Sequence, residues 1–155
     1  MEKPKLVKTD LDKKIKELVI KSDHKILGIW AADCAERVLP YFEEKYPKDD
    51  RPRKAIEDLR KWVKTDIFKM TNIREGSLAA HAAAREADEG SAALSAARAA
   101  GQALATAHVS THSIAAAVYA ATAIRDEVKA ADADADVAVM KERNWQYQHL
   151  LDLSK

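Results

Sequence analysis

The sequence predicts an all-α protein, a compact domain of about six to seven packed helices. Only four glycines and four prolines occur in 155 residues, which leaves little material for the tight turns of β-hairpins. Runs of β-branched residues with period-two alternation are absent, and apolar residues recur instead at spacings of three and four. A chain of this length has the size of one domain and should bury roughly 70% of its unfolded surface. We therefore expect residues 1–155 to form a single helical domain.

The first half of the chain should contribute three helices. Residues 1–22 are predicted as an N-terminal helix that could be peripheral, and residues 23–147 as the core. Asp23 is the expected N-cap of a second helix, whose apolar stripe includes Trp30 and Cys34 and which Pro40 should bend or end nearby. The segment KYPKDDRPR reads as a polar loop, and the third helix should begin with Pro52 in its first turn.

The second half of the chain is rich in alanine, with 26 alanines among residues 79–139. Interruptions at 89–91 and near 109–110 predict three helices, roughly 73–88, 91–107 and 111–130, and a last helix should follow the acidic run 131–136. Small side chains allow backbones to approach closely. We expect this half to pack tightly, with Trp30, Trp62, Tyr119 and Trp145 filling the space between thin helices. A repeat solenoid is the competing architecture, but the chain has no fixed period.

Composition excludes several classes of protein. The single cysteine cannot form an internal disulfide, the first residues lack the apolar run of a signal peptide, and no uncharged stretch could span a bilayer, so we expect a cytoplasmic protein without a membrane partner. The net charge is +1, and residues 1–75 carry 19 Lys/Arg against 15 Asp/Glu. Because nucleic-acid binders concentrate a larger basic surplus on one face, nucleic acid is not the expected partner.

A set of polar side chains lies beside apolar stripes instead of opposite them. These candidates for a polar cluster or ligand pocket are Asp33, Arg37, Arg53, His81, Arg85, Arg98, His108, His112 and Tyr119. Asp33 and Arg37 are spaced i, i+4, which favours an ion pair within one helix. The same residues could instead converge on a ligand or a catalytic centre.

No pattern in the sequence specifies a reaction. His108 and His112 form an HxxxH, but the glutamate of zinc proteases is missing and no third ligand is evident, so we predict neither a metal nor another cofactor. Cys34 lies on an apolar stripe, where a thiol usually serves as a small hydrophobe. We therefore expect no catalysis, although an enzyme that uses the Asp, Arg and His residues remains the alternative.

Several short stretches together resemble a known family, the immunity proteins of bacterial and archaeal polymorphic toxin systems. They are residues 30–39 (WAADCAERVL), 51–57 (RPRKAIE), 79–85 (AAHAAAR), 96–102 (AARAAGQ), 105–109 (ATAHV) with His112, 117–120 (AVYA) and 142–146 (ERNWQ). The resemblance covers most of residues 23–147. It implies an all-helical, cytoplasmic, non-catalytic protein that binds and neutralises a cognate protein toxin by covering its active site.

Two interpretations of the polar residues follow from this resemblance. The exposed acids could meet a basic toxin, and they are Glu43, Glu44, Asp49, Asp50, Asp132, Asp134 and Asp136. The shared Asp, Arg and His residues could either form a buried network that fixes how the helices pack or line a pocket for a small anion.

Overall fold

The computed structural model confirms an all-α fold, and it describes residues 6–131 and 133–155. Seven helices occupy the described residues. They are α1 (Asp12–Lys21), α2 (His24–Glu43), α3 (Arg51–Thr65), α4 (Met70–Glu86), α5 (Ala92–Ala105), α6 (His112–Ala130) and α7 (Ala135–Leu153). The three alanine-rich helices lie where the sequence predicts them.

Local signals in the sequence set the ends of these helices. The side chains of Asp23, Ser91 and Asp134 accept hydrogen bonds from the free backbone N–H groups of α2, α5 and α7. Gly90 has φ +70°, a left-handed conformation that lets the chain turn between α4 and α5. Pro40 does not stop α2 at once, since the helix continues to Glu43.

Helix α5 is the centre of the molecule. It packs against α2, α3, α4 and α6, and every residue of α5 except Arg98, Gln102 and Ala105 is buried. A helix can be enclosed in this way only when its side chains are small, because neighbouring backbones must approach on several sides. The alanines of α5 supply that surface.

The helices around α5 form an incomplete ring. Neighbouring helices pack in the order α4, α3, α2, α6, whereas α4 and α6 share no extended contact. Helix α7 packs on α2 and α6, and α1 packs on α6 and α7. Ile15 and Val19 of α1 are nonetheless fully buried. The open side of the ring therefore lies between α4 and α6.

The predicted aromatic fillers divide into two pairs. Trp30 and Trp62 are buried, with exposed fractions of 0% and 6%. Tyr119 and Trp145 are only half-buried and pack against the edge of the core, so they fill the space between helices only in part. Trp145 instead covers charged side chains at the surface of α7, as described below.

Candidate functional site

Asp33 connects three helices. Its Oδ1 accepts a hydrogen bond from Arg60 of α3 at 2.9 Å, and its Oδ2 lies 2.8 Å from Nε2 of His149 on α7. The ion pair expected between Asp33 and Arg37 is not what the structure shows. Both side chains reach partners on neighbouring helices, where a contact also fixes the packing of those helices.

Arg37 makes a two-pronged ion pair with Glu142 of α7. Its Nε and Nη2 each donate to a carboxylate oxygen at 2.8 Å. The side chain of Glu142 is only 5% exposed, and its hydrogen bonds and charge raise the pKa of Arg37. The guanidinium also lies 3.8 Å above the ring of Trp145, which stacks on His149 at 4.7 Å. Asp33, Arg37, Glu142, Trp145 and His149 are called the α2–α7 network below.

Cys34 lies inside this region and is fully buried. Burial, together with the negative charges of Glu142 and Asp33, raises the pKa of its thiol well above the ordinary value. Because the thiolate is the nucleophilic form, the surroundings of Cys34 oppose nucleophilic chemistry. The structure thus supports a packing role for this residue.

A second buried polar contact joins α1 and α7. Arg143 is 1% exposed and donates at 2.8 Å both to Oε1 of Gln146 and to Oδ1 of Asp12. The side-chain amide of Gln146 in turn donates to the carbonyl of Ala117. The main-chain carbonyl of Gln146 accepts a hydrogen bond from the indole N–H of Trp30. None of these contacts follows from the sequence. Glu142, Arg143 and Gln146 lie in the motif 142–146 that carries the family resemblance, but no pattern in the sequence marks Asp12 or His149.

The open side of the ring is a groove whose floor is α5. Arg98, Gln102 and Ala105 are the partly exposed residues of α5, and their i, i+4, i+7 spacing places them on one face. Helices α4 and α6 share no extended contact with each other, and these three residues of α5 remain partly exposed to solvent. We call this surface the α4–α6 groove.

His81 of α4 reaches the floor of the groove. A Cβ at Gly101 would lie 2.8 Å from Nε2 of His81, so the ring fits only because residue 101 is a glycine. Arg98 lies 2.8 Å from Nδ1 of His81. A guanidinium can only donate, so Nδ1 must accept and the imidazole is neutral, with its proton on Nε2.

The charges around His81 all have the same sign. The pKa of His81 is lowered to about 4, mainly by burial and then by the charges of Arg98, Arg85 and His112, in that order. No carboxylate appears among the groups that act on it. Within the described residues, Arg98 forms no ion pair with an acid, and the groups that act on His81 are all basic. The groove is therefore basic.

The α6 wall carries two further predicted residues. Nδ1 of His112 lies 2.8 Å from Oε1 of Gln102, and burial, followed by the charge of His108, lowers the pKa of His112. Tyr119 is half-buried and lies two turns along the same face of α6.

One end of the groove is apolar. His108 is outside the helices, in the connection between α5 and α6, and its ring stacks on Phe68 at 6.1 Å. Phe68 and Val109 are 43% and 40% exposed, and Leu78 of α4 is 58% exposed. The HxxxH therefore does not place two imidazoles on one helical turn. In the part of the chain that the structure describes, no three His, Cys, Asp or Glu side chains are grouped as metal ligands would be.

The nine predicted polar residues thus do not form one site. Asp33 and Arg37 belong to the α2–α7 network, whereas His81, Arg85, Arg98 and His112 belong to the groove and His108 to its apolar end. Tyr119 packs against the core. Arg53 lies elsewhere and donates to both carboxylate oxygens of Glu43, at 2.6 and 2.7 Å.

The predicted toxin-facing acids differ in whether their carboxylates already have a partner. Arg53 lowers the pKa of Glu43, and Arg51, which also contacts Glu86, lowers the pKa of Asp49. Asp134 caps α7. Glu44, Asp50 and Asp136 are exposed, and Asp132 lies outside the described residues.

Comparison with known proteins gives one positive result. The family model described as Imm-5 like putative immunity protein matches residues 17–153, from the middle of α1 to the end of α7. The chain belongs to this immunity-protein family. The match includes both the α2–α7 network and the α4–α6 groove, so these surfaces lie inside the family's domain. No curated protein and no solved structure matches the chain.

The comparison agrees with the family resemblance that the sequence motifs indicate. None of the described helices combines the length and the apolar character that crossing a membrane requires.

Proposed function

We propose that this immunity-family protein binds a cognate protein toxin in the cytoplasm and neutralises it by covering the toxin's active site, without catalysis. The observation that carries the proposal is the family match over residues 17–153. Immunity by occlusion needs a rigid surface, because ordering flexible groups on binding reduces affinity. A helix enclosed by four others supplies such a scaffold.

The chemistry of the candidate reactive groups is consistent with this proposal. Burial keeps Cys34 in its thiol form, and the carboxylates of Asp33 and Glu142 already hold arginine or histidine side chains. Groups engaged in this way stabilise helix packing, and they are poorly placed to act on a substrate. This supports a binding protein over the alternative of an enzyme.

Co-expression with the toxin encoded beside the gene tests the proposal. We expect the protein to restore growth of cells that produce the toxin and to co-purify with it. A toxin inactivated in its active site is the control for the pull-down, since it should still bind. Loss of toxicity without a complex would contradict occlusion, and failure of every neighbouring toxin to bind would contradict the function itself.

The exposed acids are one proposed contact for the toxin. Of the predicted set with a described position, Glu44, Asp50 and Asp136 carry exposed carboxylates that no described arginine neutralises. A variant with Gln or Asn at these three positions should protect less well if the toxin presents a basic face. Unchanged protection would exclude this surface and leave the groove as the better candidate.

A further inference from the structure

We propose that the α4–α6 groove is the docking site for an acidic segment of the toxin, with a carboxylate of the toxin seated on Arg98. This inference rests on the proposed function and assigns the surface that performs it. The open ring, the charges in the groove and its apolar end carry it.

The shape of the groove fits a protein segment. Its floor is a single helix face, and its walls are two helices that do not close over it. Leu78, His81 and Arg85 are spaced i, i+3, i+7 and so share the α4 face that borders the floor. An open channel between two helices admits side chains from a partner's surface, whereas small ligands are usually enclosed.

The charges in the groove select for a carboxylate. Arg98, like Arg74, forms no ion pair with an acid among the described residues, whereas six other arginines each contact one: Arg37, Arg51, Arg53, Arg60, Arg125 and Arg143. His81 is held neutral by the guanidinium of Arg98. It therefore does not compete with Arg98 for the carboxylate. One N–H of Arg98 is used on His81, which fixes the side chain and leaves other donors of its planar fork for a carboxylate.

The apolar end of the groove supplies the other part of an interface. Phe68, Leu78 and Val109 are large side chains with substantial exposure, and Phe68 is fixed by its stacking on His108. Binding energy in protein interfaces is concentrated in aromatic and arginine anchors. A basic floor beside an apolar end therefore matches an acidic segment that also carries apolar side chains.

Affinity for the toxin, measured with matched variants, tests the proposal. Arg98→Gln keeps a side chain that can still donate to His81, Arg85→Glu reverses an exposed charge on the wall, and Lys141→Glu reverses an exposed charge on α7 as the control. We expect Arg98→Gln to weaken the complex at least about 30-fold and Arg85→Glu about 10-fold, because a charge buried in an interface would lose its partner. The control should bind within about threefold of the wild type.

Folding and ligand chemistry are separated by two further measurements. Circular dichroism and urea unfolding establish that each variant is folded, and Arg85 is exposed, so its substitution should leave the fold intact. In the absence of toxin, a short poly-glutamate peptide should shift the NMR signals of Arg98 and His112 in the wild type, whereas the signal of His112 should not shift in Arg98→Gln. Poly-lysine should shift neither.

The outcomes distinguish this proposal from the function on which it rests. Wild-type protein that binds the toxin while both groove variants bind equally well overturns the groove and leaves immunity intact. Inorganic phosphate that binds at these residues but leaves the affinity for the toxin unchanged would show a small-anion site. That result would also overturn the groove as the docking site. Wild-type protein that binds no neighbouring toxin overturns both.

Discussion

At the scale of single residues, the neutral state of His81 links packing to pH. Its pKa is lowered from 6.5 to about 4, first by burial and then by Arg98, Arg85 and His112. Between these two values the unfolded chain takes up a proton that the folded protein excludes. The unfolded state therefore binds more protons, and the free energy of unfolding must fall as pH falls through this window.

We expect this effect to amount to about 1–2 kcal/mol, less than the full shift implies, because the ring is partly in contact with solvent. Urea unfolding at pH 7 and pH 4.5 measures it. The wild type should lose more stability on acidification than His81→Gln, which cannot titrate. The lowered pKa of His112 also reduces stability on acidification, but it does so in both proteins. Its contribution therefore cancels when the two losses of stability are compared. Equal losses would contradict a neutral, buried His81.

Gly101 is the residue that allows His81 to lie against α5. Substitution by alanine favours the helix by about 1 kcal/mol but puts a methyl group where the imidazole lies. Since the ring can swing outward into the groove, we expect Gly101→Ala to fold and His81 to become more solvated. The pKa of His81 should then rise above about 4 toward 6.5, as NMR titration of the ring would show. An unchanged pKa would mean that the ring stays in place and the backbone moves instead.

At the scale of helices, the α2–α7 network depends on an asymmetric ion pair. The side chain of Arg37 is 42% exposed, whereas that of Glu142 is 5% exposed. Removing the arginine leaves a buried carboxylate without its partner, but removing the carboxylate leaves a guanidinium that can reach water.

Arg37→Met should therefore destabilise the protein more than Glu142→Gln does. We expect the free energy of unfolding to fall by about 2 kcal/mol for Arg37→Met and by about 1 kcal/mol for Glu142→Gln. Both losses are limited because Arg37 is partly exposed to water. Urea unfolding of the two single variants and the double variant measures the individual effects and their coupling. The opposite order would indicate that water, not Arg37, provides most of the solvation of Glu142.

The helices themselves could be predicted from the sequence, but most pairings between them could not. Asp23 and Ser91 cap helices within one turn of the chain, and Gly90 supplies the turn before α5, so the starts of α2 and α5 follow from local patterns. Asp33 and Arg37 show the limit, because their spacing suits an ion pair and yet each binds elsewhere. Local spacing identifies possible contacts and cannot compare them with partners that only the fold brings near.

The candidate site shows the same division. The sequence indicates that His81 and Arg98 are unusual, since both lie among alanines too short to hide them. Their contact depends on how α4 crosses α5 at Gly101, and no periodicity within one helix contains that information. The sequence therefore marks the two residues as unusual, whereas their contact and the groove around them follow only from the fold.

At the scale of the whole molecule, the incomplete ring around α5 makes two kinds of alanine position. Ala103 is fully buried under the surrounding helices, whereas Ala105 is partly exposed at the floor of the α4–α6 groove. Both lie in the same helix, two residues apart. The difference between them is thus a property of the assembled ring and not of α5 alone.

Leucine at these two positions should separate stability from binding. Ala103→Leu should destabilise the protein by about 1–3 kcal/mol, because a close-packed interior has no room for three more carbon atoms. Ala105→Leu should change stability by less than about 0.5 kcal/mol, since its side chain can extend into the open groove. Thermal unfolding followed by circular dichroism measures both. If the toxin occupies the groove, Ala105→Leu should also weaken the complex while the fold stays intact, which a toxin bound to the acidic residues would not cause. Equal destabilisation by the two variants would mean that the ring closes over α5 between α4 and α6, and the groove would then be unavailable to any partner.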